Sequence, residues 1–391
     1  NYVYKTYKKQ MGLACRELFA QFFIRIYDEI PTSVLAEFST LKILQAPNFR
    51  DFRQAFRAKL GRNFIVPANS FDNVKGQFPI GFFIWDTNQK EVFEETTTTI
   101  YDSKGEELGN KLISSYLNDT NVIVWLRQYY DKQGESIGFL RMNGTNIQNN
   151  LGIYITSKLS DNDIHNHFYA EITKTNILPM CIYLSIRETV NANWINDRDQ
   201  YLVPSSKWED DKEFQYNCLI HSLFSGQNRI QSQHGTNHWI PFSEEEVGAQ
   251  DNFESHFIHD FIMGKVKEEK PQQKETMQDL FAEQELQTTG GSSFTPTGPL
   301  EFSQEAQAVL DAGRELWRYY HKQAGANPNA SYYDIKMHFQ GTKTTKSGKL
   351  QMNSTSEDAT YNTLLANLRQ AMKGLAAHIE PKVYEYGFLK K

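Results

Sequence analysis

The stretch RNFIVPANSFDNVKGQFPIGFFIWDT, residues 62–87, decides how the N-terminal part of this 391-residue chain folds. Two apolar runs, 63–68 and 80–85, flank a polar turn over 71–79 that contains glycine and proline. The turn is too short to hold a crossover helix, so the two runs are predicted to be antiparallel neighbours in one sheet. The turn also keeps an aromatic residue, an amide and a lysine, which chain reversal alone does not require.

The residues before this hairpin predict α/β layering. A helix ended by Pro31 is expected over 13–30, a strand or a strand plus turn over 33–44, and a second helix over 46–61. Strands buried on both faces read as continuous apolar runs, as the two runs of the hairpin do. The fold class indicated is therefore α/β, with a sheet that ends in an antiparallel hairpin.

The residue pattern of the chain changes beyond residue 95. A polar connector is expected over 96–111, and short β-like runs follow it at 122–125, 136–141, 152–156 and 176–186, with a hairpin turning at 131–134. Residues 265–300 combine charge with a Gly, Ser, Thr and Pro run that cannot bury a core, which indicates a linker. The apolar periodicity beyond it predicts helices over 303–323 and 359–387.

Charge is distributed unevenly. The net charge is −6, yet residues 1–75 hold twelve Lys and Arg against six Asp and Glu, while residues 244–285 hold twelve acidic residues against four lysines. A basic head on an acidic body permits an anionic partner at one face, although lysines on a solvated face explain the same pattern. The three cysteines are far apart and lack CxxC spacing, so they are interpreted as reduced thiols in a cytoplasmic protein.

Two polar segments are dense in groups that can read base edges. In 191–211 these are Asn193, Arg198 and Gln200, interleaved with Trp194, Tyr201 and Trp208, and in 224–239 they are Asn228 and Arg229. Arginine and amide side chains can make bidentate contacts to bases, and aromatic rings can stack on unpaired bases. An ordered loop in which Arg198 pairs with the aspartates on either side of it explains the first segment equally well.

The paired histidines invite a metal interpretation. His165 and His167 frame an HNH tripeptide, and His234 and His238 lie four residues apart. The further ligands of an HNH nuclease are not found at a recognisable spacing, so these histidines are interpreted as loop residues. A nuclease centred on 161–171 is kept as a third hypothesis.

With helix, strand, helix and hairpin in order, residues 10–90 resemble the second half of an adenine-N6 DNA methyltransferase of type I and type IIG restriction–modification systems. The resemblance is carried by ACRELFAQFFIRIYDEI, SVLAEFSTLKIL, NFRDFRQAFRAKL and FIVPANSFDNVKGQFPIGFFIWD, in chain order. The later WINDRDQYLVPSSKW and YEYGFLKK are similar to segments of large bacterial enzymes of the same kind. The resemblance implies the C-terminal half of a Rossmann-like sheet whose antiparallel end is this hairpin, buried on both faces.

The resemblance also implies roles for the hairpin loop. In this family an aromatic residue there stacks on the adenine flipped out of the duplex, and Phe71 matches that place. Asn73, Lys75 and Gln77 of the same loop are then expected to contact DNA. Without the resemblance, Phe71 and Phe78 are simply turn residues that plug the core.

The family's methyl donor is S-adenosylmethionine. Its glycine-rich binding loop and the Asn/Asp-Pro-Pro-Tyr/Phe catalytic motif are not in this sequence, so no catalytic, cofactor-binding or metal-ligating residue is assigned. The expected organisation is the C-terminal half of a catalytic domain over 1–95, a mixed β-rich target-recognition region over 100–264, the linker over 265–300, and a helical C-terminal region over 301–391. This chain alone is expected to be inactive.

Two principal hypotheses follow. In the first, the chain is part of a site-specific methyltransferase of a defence system, and its partners are double-stranded DNA and either an N-terminal methyltransferase portion or a restriction or specificity subunit. In the second, it is a non-catalytic DNA-binding specificity or interaction module whose α/β element is structural only. Neither hypothesis involves a membrane, because no apolar run approaches the ~18–20 residues of a membrane helix.

Overall fold

The computed structural model describes residues 2–131, 133–266, 296, 298–346, 348 and 350–391. The chain is α/β, with mixed sheets and helices, as the sequence predicts at that level. Most of the predicted linker over 265–300 lies outside the described residues. Within the described residues, no helix is both long and apolar enough to cross a membrane.

The N-terminal part consists of four helices and a five-stranded sheet. The helices are α1 (Tyr2–Met11), α2 (Leu18–Glu29), α3 (Lys42–Gln45) and α4 (Arg50–Ala55). The strands are β1 (Val34–Thr40), β2 (Ala58–Pro67), β3 (Pro79–Lys90), β4 (Glu95–Tyr101) and β5 (Glu107–Ser114). Helix α2 ends just before Pro31, as predicted, because proline cannot continue a helix.

The strand order of this sheet is β1-β3-β2-β4-β5. Strand β3 pairs antiparallel with both β1 and β2, so β1 and β2 run parallel to each other on either side of it. The predicted hairpin of β2 and β3 is therefore confirmed, with Phe64 opposite Phe82. Strand β4 joins β2 in parallel, and β5 pairs antiparallel with β4.

One face of this sheet is buried and the other is open. Phe83 and Trp85 of β3 point to the buried face and pack in a core with Phe49, Phe52 and other residues of the N-terminal helices. The alternate residues of β3, from Ile80 to Asp86, are only partly buried. The expectation that the hairpin is buried on both faces is therefore wrong for the described chain, because its helices pack on one face only.

The remainder of the described chain is mixed but richer in helix than predicted. Its strands are β6 (Ser136–Met142), β7 (Tyr154–Thr156), β8 (Phe168–Thr173), β9 (Asn228–Arg229), β10 (Thr342–Thr344) and β11 (Leu350–Met352). Its helices are α5 (Val122–Arg127), α6 (Asp161–Asn166), α7 (Ile177–Thr189), α8 (Lys212–Phe224), α9 (Glu244–Val247), α10 (Phe257–Ile262), α11 (Gln304–His321), α12 (Tyr332–Gln340) and α13 (Ala359–Glu385). The helices predicted over 303–323 and 359–387 are confirmed as α11 and α13.

A second core unites these elements. Strands β8, β6, β7 and β9 form a four-stranded sheet in that order, while β10 and β11 form a separate hairpin. Buried residues from Val122 to Leu389 form one cluster, distinct from the cluster of the N-terminal sheet. The predicted target-recognition region and the predicted helical region thus contribute to one shared core.

Several predicted elements differ in the structure. The apolar run over 176–186 is helix α7, not a strand, and it reads as a continuous apolar run because its residues from Ile177 to Arg187 are all buried. The run over 122–125 is helix α5, whose first turn is capped by the side chain of Asn121. The predicted hairpin at 131–134 is also wrong, because the turn is followed by strand β6 but preceded by helix α5 instead of a second strand.

The predicted connector and second helix are also wrong. Residues 96–111 lie largely in β4 and β5, where the threonine run suits a strand because its side chains are β-branched. The helix expected over 46–61 stops at Ala55, and the chain is already in β2 from Ala58. Arg53 of α4 is buried and donates to the carbonyl oxygens of Ala46 and Ser115.

Candidate functional site

The loop between β2 and β3 lies at the carboxyl ends of two parallel strands. Thr40, the last residue of β1, is paired with Ile80, and Val66 near the end of β2 is paired with the same residue from the other side. Loops that do chemistry in α/β sheets gather at such ends. The loop is closed by a hydrogen bond from the Ala68 amide to the Phe78 carbonyl, at 2.8 Å.

Phe71 lies on the open face of the sheet. Its ring is 37% exposed and meets Phe38 of β1 edge to face, with the ring centroids 5.3 Å apart. Phe38 in turn contacts Phe82, Phe82 stacks on Phe64, and Phe64 contacts Tyr101. We call Phe38, Phe82, Phe64 and Tyr101 the outer aromatic row. Phe71 thus stands at the β1 end of this row, with more than a third of its surface free.

The polar residues of the loop are accessible. Asn73, Lys75 and Gln77 are all exposed. Asn73 adopts a positive φ of 66°, a left-handed conformation that asparagine tolerates better than most residues. Within the described chain, the side chains of Lys75 and Gln77 make no hydrogen bond or ion pair, so both are free to meet a partner.

Gln77 also lines a cleft of about 430 Å³ where segments of both cores converge. The short 3-10 helix Ile147–Gly152, the end of α7 and the 192–197 loop supply most of its walls, and Gln227 completes it. Asn193, predicted to bind DNA, lies on the same cleft, beside Trp194. The structure therefore brings together two predicted residues that are 116 positions apart in the sequence.

Two other predicted residues are committed to the protein itself. Gln200 is 3% exposed, and its amide accepts from Thr145 Oγ1 and donates to the Arg198 carbonyl. Asn228 is 4% exposed, and its amide donates to the Ser222 carbonyl and accepts from the Ile230 amide. Because both amides are satisfied and buried, neither is offered to a ligand in this structure.

The two predicted arginines are partly buried. The guanidinium of Arg229 lies 3.8 Å from the ring centre of Tyr154 and donates to Gln227 Oε1. Burial lowers the pKa of Arg198, and its Nε is buried without a hydrogen-bond partner in the described chain. The predicted pairing of Arg198 with Asp199 is not seen, because Asp199 pairs with Lys111 at 2.6 Å instead.

Carboxyl groups in the cleft have shifted acidity. Burial raises the pKa of Glu188 to about 7, although a hydrogen bond from Ser225 opposes the shift. Burial also raises the pKa of Asp197; the positive charge of Arg198 opposes this shift, and the nearby Asp199 adds to it. Ionisable groups with such shifts are concentrated at functional sites, though ion-pair networks produce them as well.

Arg187, which also lines the cleft, has a structural task. It is fully buried and donates five hydrogen bonds, four of them to Asn150 Oδ1 and to backbone carbonyls of the 143–146 turn. Its guanidinium also lies 4.4 Å from the ring centre of Tyr201. Arg187 therefore fixes the asparagine-rich loop that forms one wall of the cleft.

The histidines stay apart from this cleft. His165 and His234 are exposed, His167 is partly buried, and His238 Nδ1 contacts Ser255 Oγ at 2.7 Å. Among the residues that the structure describes, no group of three His, Cys, Asp or Glu side chains is placed to hold a metal ion. Cys15, Cys181 and Cys218 are free and buried.

Sequence reasoning missed part of the cleft. Gln148 and Glu188 were not singled out, because the first lies in an asparagine-rich segment and the second lies just beyond the run over 176–186 that was predicted as a strand. Trp194 was noted together with Tyr201 and Trp208, which are both buried, whereas Trp194 is partly exposed. The signal that could have pointed to Glu188 is the change from apolar to charged residues at the end of the buried helix α7.

Comparison of this chain with protein-family models, curated proteins and solved structures gives no match.

Proposed function

We propose that this chain is part of a site-specific DNA adenine-N6 methyltransferase of a restriction–modification or related defence system. It contributes the strands that close the catalytic sheet, the loop that stacks on the flipped target adenine, and a surface that recognises double-stranded DNA. The intact protein takes its methyl group from S-adenosylmethionine, works in the cytoplasm, and combines this chain with a cofactor-binding portion.

The strand order carries the proposal. Strand β3 lies antiparallel between β1 and β2, which are parallel to each other, and helices join the strands before it. A strand, a helix and a final antiparallel pair are what the resemblance to this family implies for the end of its sheet. The arrangement also puts Phe71 at the carboxyl ends of β1 and β2, where the proposal needs a base-stacking ring.

The open face of the sheet supports the need for a further portion. Three of the four strand pairings are antiparallel, and a sheet of that kind can leave one face to water, but the face left uncovered in the described chain carries the outer aromatic row. Strand β1 is also an edge strand there, and its Val34 and Phe38 are 69% and 51% exposed. A large exposed apolar patch of this kind marks an interaction site. We assign it to the cofactor-binding portion, or to a restriction or specificity subunit that replaces it.

The residues described here do not fit S-adenosylmethionine. Leu41, Ile43 and Leu44, which follow β1, are buried and apolar, and so offer no polar group to a nucleoside or an amino acid. The sequence holds no glycine-rich loop of the family's kind. The proposal therefore places cofactor binding and the catalytic amide outside this chain.

The test uses the full product of the gene that encodes this chain. The purified protein is incubated with duplex DNA and S-adenosylmethionine labelled in its methyl group, and the digested DNA is examined for labelled N6-methyladenine. Labelled N6-methyladenine is the expected result. Sequence-preferring DNA binding with no methyl transfer and no effect of the cofactor would instead support a non-catalytic specificity module.

A further inference from the structure

The cleft between the two cores retains unused hydrogen-bonding groups. Asn150 is fully engaged, since its amide donates to Tyr201 and accepts from Arg187. By contrast, the side chains of Gln77, Gln148 and Asp197 form no hydrogen bond within the described chain, although all three line the cleft. Residues whose hydrogen bonds are complete therefore build the cleft, and residues whose side chains form no hydrogen bond face into it.

The character of these unused groups restricts the ligand. Asp197 supplies carboxylate acceptors, and among the described residues the carboxyl group of Glu188 receives a hydrogen bond from Ser225 alone. The two glutamine amides each supply both donors and an acceptor. A phosphate is disfavoured because two carboxyl groups line the cleft and the Arg187 donors are already engaged. The cleft favours a ligand that has no negative charge where it meets these groups and is rich in N–H donors.

The walls also favour a flat ligand. Trp194 lines the cleft and packs against the hydrophobic core of the N-terminal sheet, which holds the indole in place. An indole offers a π-face on which a planar ring can stack. The volume of about 430 Å³ lies within the range of small-molecule sites.

We propose that this cleft binds a single extrahelical nucleobase that carries an exocyclic amino group beside a ring-nitrogen acceptor, as adenine and cytosine do and guanine does not, with Trp194 stacking on its ring and Asp197 and Gln148 contacting its edge. Carboxylates accept from the amino group of such bases, and amides pair with an acceptor and a donor on adjacent positions. Thymine lacks this amino group and offers carbonyl oxygens, which face repulsion from the carboxylates. The inference rests on the proposed function only in taking DNA as the partner.

The acidity of the cleft agrees with this assignment. Burial raises the pKa of Glu188 to about 7, so near neutral pH its carboxyl group is protonated in part and can then donate as well as accept. Burial also raises the pKa of Asp197. Burial deprives these carboxyl groups of hydrogen bonds from water. The amino group of a bound base would donate hydrogen bonds in their place.

The test measures the affinity of the full chain for four duplexes of one sequence. Three contain a single unpaired adenine, cytosine or thymine, and the fourth is fully paired. The adenine and cytosine bulges are expected to bind about tenfold more tightly than the thymine bulge, as one good base-edge contact provides. Gln148→Ala and Asp197→Ala should remove most of that preference. Gln54→Ala and Asp251→Ala, at exposed positions outside the cleft, should retain it.

Two results would overturn the assignment: equal affinity for the three bulges, or a preference that survives both cleft substitutions. Thermal unfolding of each variant shows that the substitutions leave the chain folded. The outcome is separate from that of the methylation test. Base-selective binding without methyl transfer would refute the proposed function and support the assignment of the cleft. Methyl transfer without base-selective binding would support the proposed function and refute the assignment of the cleft.

Discussion

The rings of Phe71 and Phe38 meet edge to face, with the ring centroids 5.3 Å apart and the ring planes at 78°. This contact ties the loop between β2 and β3 to β1, a strand that comes earlier in the chain and lies on the far side of β3. The position of the proposed base-stacking ring therefore depends on the edge strand of the sheet, and a change in β1 should reach the loop.

Phe38→Ala is expected to loosen this loop. An edge-to-face pair contributes about 0.5–1.5 kcal/mol, so hydrogen exchange of the Phe71 amide, which donates to the Ala68 carbonyl, should accelerate up to about tenfold. Global stability should fall by about 1 kcal/mol, because Phe38 is half exposed. Phe168→Ala, at another exposed phenylalanine, is the control. Unchanged exchange at Phe71 would show that the ring contact does not hold the loop.

Gly81→Ala should destabilise the N-terminal sheet. A Cβ at Gly81 would lie 2.1 Å from the ring of Phe83, a fully buried residue of the same strand, so that ring would have to move. Overpacking of this kind costs about 1–3 kcal/mol, measurable by urea unfolding. Gly226→Ala is the matched control, since nothing lies within 4 Å of a Cβ there. Equal stability of the two variants would contradict the packing described.

The ion pair between Lys111 and Asp199 joins the sheet to the second core. Its side chains are 16% and 13% exposed, and burial raises the pKa of Asp199 although Lys111 lowers it. Lys111→Met should cost about 3 kcal/mol, because it leaves a buried carboxylate without its cation. The double variant with Asp199→Leu should recover most of that loss.

A control for this pair is Lys174→Met, which breaks an exposed pair with Glu135 and should cost less than about 1 kcal/mol. Urea unfolding gives the free energy of unfolding of the wild type, of the two single variants and of the double variant. A Lys111→Met loss as small as that of the control would mean that the pair does not couple the two cores.

Acid should destabilise the second core through His221. Burial lowers the pKa of this histidine to about 4, from 6.5. Between these two values the unfolded chain binds a proton that the folded chain does not, so stability is lost as the pH falls from about 6.5 towards 4. The loss should approach about 3 kcal/mol at pH 4 and should shrink in His221→Asn. His234→Asn, at an exposed histidine, should keep the wild-type pH profile, and a wild-type profile for His221→Asn would refute the assignment.

The sequence predicted the elements whose signals are local. The hairpin over 62–87 followed from two apolar runs too close for a crossover, and helices α2, α11 and α13 followed from periodicity and a terminating proline or capping serine. Helix α7 could not be predicted in this way. It is buried on all sides, so its apolar residues show no 3.6-residue period to separate it from a buried strand.

Of the predicted site residues, only two exposed polar ones line the cleft. Gln77 and Asn193 are exposed amides on the cleft. Gln200 and Asn228 carry the same amide groups, but these form hydrogen bonds within the protein. Composition cannot tell these two fates apart, because the difference depends on which backbone groups the fold leaves unpaired. The convergence of Gln77 with Trp194 likewise depends on the packing of two cores, which no single stretch of sequence encodes.

The most direct test of the central claim is the methylation state of adenine in cellular DNA. DNA from cells that express the full gene product is sequenced for N6-methyladenine, with wild-type Phe71 or with Phe71→Ala. We expect methylation at one recognition sequence in the wild type and a rate about 5- to 150-fold lower in the variant, because stacking contributes about 1–3 kcal/mol per base. Unmethylated adenine in cells that contain the folded wild-type protein, or equal methylation by the two proteins, would contradict the account.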